Sequence, residues 1–245
     1  MDSSPKNKYI FQALLAKNCH RYKDMISILE EYAGKKETEL NNEERNLLAH
    51  AYKNKLEIYR KVLKQLKLKE SNEKNKEADN FLYYLEFKEI YENKMIEKIK
   101  EMINFIRQLL EKTEEKEGKL LYYKLIGDFN RYIAEFAEGE LRELAINECI
   151  DYYPKAYEMA KELNPLNIIS LGTKLNYSVF LYETLNEREK GIEVAYDSFE
   201  IACRQKTRDN VDNKEVNAFI NLFKDNIIDW RQRRDNQKKK NKNIV

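Results

Sequence analysis

Apolar residues recur at three- and four-residue intervals along almost the whole chain, the spacing that lines one face of an α-helix. Polar punctuation divides this pattern into segments. After Ser3–Ser4–Pro5 a first helix is predicted to about Asn18, and a second runs from about Tyr22 to near Gly34. "NNEERNLLAHAYKNKLEIYRKVLKQLK" opens a long third helix, with Asn41 or Asn42 as N-cap and glutamates in its first turn. The polar run "KESNEKNKEADN", 69–80, predicts a loop or break before a second long helix that ends near Lys112. Gly118 is expected to separate that helix from the one carrying "GDFNRYIAEFAEG", and Gly139–Glu140 to mark the next turn. Asn164–Pro165 stops the helix that follows. Three more fit 167–185, 188–205 and 213–232, the last closing on Trp230, the only tryptophan. The outcome is an all-α chain of nine helices whose short connections make neighbours antiparallel, with no fixed-period repeat.

Composition sharpens this picture. Only 3 prolines and 6 glycines occur in 245 residues, as helix interiors require and turn-rich β folds do not. Charged residues make up 36% at a net +2, which suits long helices with one buried stripe and a charged outer face. The near-neutral total hides an asymmetry. From Arg231 onward "RQRRDNQKKKNKNIV" carries seven Lys/Arg and one Asp, so the remaining 230 residues sum to −4. A helical domain over 1–232 with a basic, disordered tail over 233–245 is expected. Cys19, Cys149 and Cys203 are odd in number and widely spaced, and no signal-peptide pattern opens the chain. They read as free thiols in a reducing compartment, hence a cytoplasmic or also nuclear location. No apolar run reaches the length of a membrane span.

Catalysis finds little support. His20 and His50 are the only histidines, and neither sits in a motif with a nucleophile. No glycine-rich phosphate loop and no metal-ligand spacing occurs, so no catalytic residue, cofactor or metal is assigned. The cations are more informative. Lys53 and Arg60 lie seven apart in "KNKLEIYR", two turns along one helix face, and Lys124 and Arg131 repeat that spacing with Tyr132 adjacent. Two facing helices of this kind converge guanidinium, ammonium and phenol groups, a set that suits a phosphate dianion. Asp128 and Glu135 then orient the bases. The alternative is an ordinary surface, because Lys124–Asp128 and Arg131–Glu135 are also i,i+4 pairs. On two later helices Gly172, Asn176, Val179 and Glu183 share one face, and Phe219, Leu222, Asn226 and Trp230 approximately share another. Each sets an asparagine among apolar groups, either to clamp an extended peptide backbone or as a capped core residue.

Longer blocks add to this. "LNNEERNLLAHAYKN", 40–54, resembles the first signature of the 14-3-3 family, and "FKDNIIDW", 223–230, the second. "KLLYYKLIGDFNRYIAEFAEG" and "LGTKLNYSVFLYETLN" resemble the family's groove helices, and "RYKDM", 21–25, its N-terminal interface segment. The resemblance covers roughly residues 8–231. It implies a nine-helix, cup-shaped protomer that dimerises through its first four helices and binds phosphoserine or phosphothreonine peptides. By motif position it implies Lys53, Arg60, Arg131 and Tyr132 as phosphate ligands and Asn176 and Asn226 as backbone clamps. Lys124, Glu183 and Trp230 would line the same groove, with Leu175, Val179 and Leu222 on its apolar wall. Leu15, Cys19, Arg21, Asp24, Tyr91 and Lys94 would belong to the dimer interface.

The chain also departs from the family pattern. Tyr59 stands where a second arginine is usual, and Asp229 replaces an apolar groove residue, which disfavours apolar or acidic peptide residues after the phosphosite. Asp24 and Lys94 match an intersubunit ion pair, but Lys98 stands where a glutamate would face Arg21. Val62 replaces a serine that regulates dimerisation by phosphorylation in some members. The basic tail is repelled from a basic groove and is either a solvated end or a nuclear-import-like or nucleic-acid-binding segment; nucleic acid is otherwise not an expected partner. The expected function is a non-enzymatic adaptor that clamps or masks phosphorylated clients as a homo- or heterodimer. The alternative is a phosphate-independent helical scaffold that binds unmodified partners through the altered groove or the tail.

Overall fold

The computed structural model describes the backbone of residues 5–73 and 78–242 and the side chains of residues 8–70 and 80–236. Among the described residues the chain is all-α, with nine α-helices: α1 (Pro5–Asn18), α2 (Tyr22–Lys35), α3 (Asn42–Glu73), α4 (Ala78–Glu111), α5 (Lys116–Phe136), α6 (Gly139–Lys161), α7 (Ile168–Val179), α8 (Arg188–Asp209) and α9 (Lys214–Lys242). A single π-helical turn, Phe180–Thr184, follows α7. None of these helices is long and apolar enough to cross a membrane. The chain divides into two compact units, Met1–Ala145 and Ile146–Val245.

In the first unit α2, α3, α4 and α5 pack in sequence, and α5 also returns onto α3. Leu48, Tyr52, Leu56 and Leu63 recur along α3 at helical spacing and are essentially inaccessible to solvent, as are Ile126 and Phe129 of α5. Tyr52 meets Phe129 edge-on, with ring centroids 6.0 Å apart, and so ties α3 to α5. The start of α3 is a reciprocal cap. Asn41 Oδ1 accepts from the Glu44 N–H at 3.0 Å, and Glu44 Oε2 accepts from the Asn41 N–H at 2.9 Å.

Gly118 does not separate two helices as its sequence position suggested. The cap of α5 is Glu115, whose carboxylate accepts from the N–H groups of Glu117 and Gly118, and Gly118 lies inside the first helical turn. Its role is clearance. Arg45 of α3, only 3% exposed, lies against it and bonds Glu115, Glu39 and Asn42, and a Cβ at position 118 would stand 2.5 Å from the guanidinium carbon. The break expected over 69–80 is also shorter than the polar run: α3 continues through Glu73 and α4 begins at Ala78, while 74–77 lie outside the described residues.

In the second unit α7, α8 and α9 enclose a core of Leu171, Leu175, Tyr182, Ala195, Phe223 and Trp230. Tyr182 stacks on Trp230 with centroids 4.3 Å apart and planes within 9°. Asn167 caps α7 by accepting from the N–H groups of Ile169 and Ser170. The Leu185 N–H then bonds the Phe180 carbonyl at 3.0 Å, five residues back, which defines the π turn. Helix α8 passes close to it at Gly191, where a Cβ would lie 2.9 Å from the Ser178 carbonyl oxygen.

Helix α9 extends into the segment expected as a tail. It does not stop near 232 but runs to Lys242, so the backbone of 233–242 is helical, while 243–245 lie outside the described residues. The segment has no glycine or proline and is rich in straight-chain residues of high helix propensity. Arg233 pairs with Asp229 one turn earlier at 2.8 Å, and Arg234 reaches Glu189 of α8 at 3.3 Å.

Candidate functional site

The seven-residue spacing places Lys53 and Arg60 on one face of α3, and the packing of α5 against α3 brings Arg60 to Tyr132. The Arg60 guanidinium carbon lies 4.1 Å from the centre of the Tyr132 ring, and that of Arg131 lies 5.0 Å from it. Two guanidinium groups therefore share one aromatic ring, each held by the ring's quadrupole. Lys124 stands two turns before Arg131 on α5 and pairs with Asp128 at 2.6 Å.

Arg60 is fixed from both helices. Its Nη2 and Nε donate to Glu135 of α5 at 2.8 and 3.2 Å, and its Nη1 donates to Glu57 of α3 at 3.2 Å. These bonds use three of the five N–H donors of a guanidinium and leave one on each terminal nitrogen for an incoming oxyanion. Glu135 also lies 3.7 Å from Lys64. Glu135 thus orients Arg60 across elements, a tie that spans 75 residues, while Asp128 holds Lys124 within α5. Around the site stand five cations (Lys53, Arg60, Lys64, Lys124 and Arg131) and three carboxylates (Glu57, Asp128 and Glu135). The balance favours an anion.

Tyr132 is 8% exposed, and its hydroxyl makes no hydrogen bond among the described residues. Burial pushes its phenol above the ordinary value and Asp128 adds to this, while Arg131, Arg60 and Lys124 oppose it. The hydroxyl therefore keeps its proton at neutral pH and is a donor. Lys53 is exposed, and among the described residues no carboxylate lies within ion-pair distance of it. The structure brings Arg60, Arg131 and Tyr132 into contact; Lys53 joins them by its place on the α3 face.

The second unit carries the other sequence-derived candidates. Asn176 and Asn226 are half-buried, Val179 packs at the edge of the core, and Leu222 is 48% exposed. Leu175 and Trp230 belong to the core itself, at 7% and 2% exposure, and support that face from behind. Glu183 is exposed on the π turn and lies 3.6 Å from Arg233, which also holds Asp229. Arg233 belongs to none of the family motifs quoted above. The signal for it was its i,i+4 distance from Asp229.

Candidate interface residues lie on α1, α2 and α4 and, for Cys19 and Arg21, in the connection between α1 and α2. Leu15, Cys19 and Lys94 are exposed, and Lys94 sits 5.7 Å from the ring of Tyr91. Arg21 pairs with Asp24 of the same protomer at 2.8 Å. Lys98 pairs with Glu101 at 2.6 Å. Phe11 at 62%, Leu82 at 60% and Tyr83 at 67% are large exposed apolar groups that the sequence reading did not single out.

Comparison with known proteins places the chain in a family. A family model described as 14-3-3 protein matches residues 12–231. The chain is 31% identical over 231 residues to a 14-3-3 protein of Giardia intestinalis, covering 92% of each chain. It is 32% identical over 235 residues to 14-3-3-like protein 2 of Caenorhabditis elegans, covering 93% of this chain and 92% of that one. It is also 32% identical over 235 residues to Protein BMH2 of Saccharomyces cerevisiae, at 93% and 85% coverage.

Proposed function

The chain belongs to the 14-3-3 family, and from that membership we propose that it is an adaptor, not an enzyme, for proteins phosphorylated on serine or threonine. The observation that carries the reading is the approach of both Arg60 and Arg131 to the Tyr132 ring. A phosphate dianion takes the two remaining Arg60 donors, the Arg131 guanidinium and the Tyr132 hydroxyl, with Lys53 and Lys124 adding charge. Asn176 and Asn226 hold the peptide backbone. Val179 and Leu222 receive its side chains, with Leu175 and Trp230 fixing their positions and Glu183 contributing a charged edge.

The adaptor acts as a homo- or heterodimer through its first four helices, with Leu15, Cys19, Arg21, Asp24, Tyr91 and Lys94 in the contact. The like charges of Arg21 and Lys98 do not preclude this assembly, because Asp24 and Glu101 neutralise each within its own protomer.

Fluorescence anisotropy with an Arg-x-x-pSer-x-Pro peptide and its unphosphorylated twin tests the function. Binding of the phosphorylated peptide alone is expected. Arg131→Ala should weaken it at least about 100-fold, as loss of one partner of a desolvated charge pair does, with an unchanged circular-dichroism melt. Equal binding of the two peptides would establish the phosphate-independent scaffold instead.

A further inference from the structure

Two departures noted in the sequence, Tyr59 and Lys98, converge in the structure. On α3, Lys55 and Tyr59 lie about half a helical turn away from the Lys53–Arg60 face, and both line a cavity of about 580 Å³ walled by α2, α3 and α4. Its apolar surface comes from Ile26, Tyr59, Met102 and Phe105, and Lys23, Lys55 and Lys98 supply three ammonium groups. Glu101 occupies Lys98 at 2.6 Å. Lys55 lies 5.1 Å from the centre of the Tyr59 ring, and among the described residues neither Lys23 nor Lys55 has a carboxylate within ion-pair distance. Glu30, the other carboxylate of the wall, accepts from the Tyr52 hydroxyl at 2.7 Å, and burial holds its carboxyl above the ordinary value.

We propose that this cavity binds a small organic anion with an aromatic or aliphatic body, its charge between Lys23 and Lys55 and its body on Tyr59, Ile26 and Phe105. The volume is within the range of small-molecule sites, and the combination of an apolar wall with a few placed charges is their usual make-up. Charge complementarity selects the anion: the two carboxylates already have partners, and two ammonium groups remain. An arginine at position 59 would replace the aromatic surface with a further cation, so Tyr59 is what makes this an amphiphile site and not a second phosphate site. The site is separate from the phosphopeptide site and does not depend on it.

Titration of the full-length chain with 1-anilinonaphthalene-8-sulfonate at low ionic strength tests this. One dye per chain is expected, displaced by decanoate and unaffected by Arg131→Ala. The double variant Lys23→Gln/Lys55→Gln should bind about tenfold more weakly. Ser27→Phe, placing a ring from the exposed rim into the cavity, should abolish binding; both variants should melt as the wild type does. Equal binding of neutral N-phenyl-1-naphthylamine, or unchanged dye affinity in both variants, would overturn the assignment. So would dye binding confined to monomer in sedimentation, since the cavity would then be covered by a second copy of the chain.

Discussion

At the residue scale, the proposed phosphate site gives Tyr132 two separable roles, a ring that seats two guanidinium groups and a hydroxyl that donates to the phosphate. Tyr132→Phe keeps the ring and removes the donor. Phosphopeptide affinity should fall about ten- to a hundredfold, the worth of one hydrogen bond to a charged group, with no change in melting temperature. Tyr132→Leu removes both and should cost considerably more in the same titration. Gly118 tests a different constraint. Its alanine variant drives a methyl group toward the Arg45 guanidinium, which must leave Glu115, Glu39 and Asn42. A loss of about 2–3 kcal/mol is expected in urea unfolding. An unaltered midpoint would mean that Arg45 moves without cost.

At the element scale, the π turn after α7 and its contact with Gly191 set where Glu183 emerges. Gly191→Ala places a Cβ against the Ser178 carbonyl and Tyr182, both part of the α7–π-turn backbone path, so no flexible end can yield. We expect about 2–3 kcal/mol of destabilisation and weaker phosphopeptide binding, measured together by thermal melt and anisotropy. The Arg233 bridge between Asp229 and Glu183 depends on α9 continuing past Trp230. Asp229→Leu releases Arg233 and restores an apolar side chain. It should improve binding of phosphopeptides carrying an apolar residue after the phosphosite about threefold, the scale of one exposed charge contact. A peptide panel in which wild type and variant rank alike would remove Asp229 from specificity.

At the scale of the whole molecule, pH reports how the first unit is held. Burial lowers the pKa of His50, and Lys17 and Lys53 lower it further. Its folded value lies below the unfolded one, so its share of stability is complete above about pH 6.5 and lost as pH falls below that. Burial opposes ionisation of Glu44, but bonds from Lys36, the Asn41 N–H and Tyr32 outweigh it and leave the carboxyl below the ordinary value. Its share survives to lower pH and is lost as pH drops through the carboxylate range. Unfolding free energy should therefore fall in two stages on acidification, and His50→Gln should remove the upper one. Glu30 has the opposite sign: its raised value penalises the charged form, so Glu30→Gln should stabilise the fold at neutral pH and not in acid.

Much of this protein was legible in its sequence because the governing interactions are local. Helical periodicity determined the class and the order of the helices, while the α3–α4 break, the start of α5 and the end of α9 lie elsewhere than the polar punctuation suggests. The Asn41–Glu44 cap and the Lys53–Arg60 spacing follow from residues within two turns of one another. The quoted motif blocks carried the family. Tertiary structure decided the rest, because it pairs residues that no window along the chain connects. Glu135 holding Arg60 across 75 positions is one case. Gly118 clearing space for Arg45 is another, and there a residue that looks like a helix breaker is required inside a helix. The same holds for Tyr59 and Lys98, which read as isolated departures along the chain. They acquire a common meaning only because α3 and α4 pack side by side and turn both residues toward one cavity.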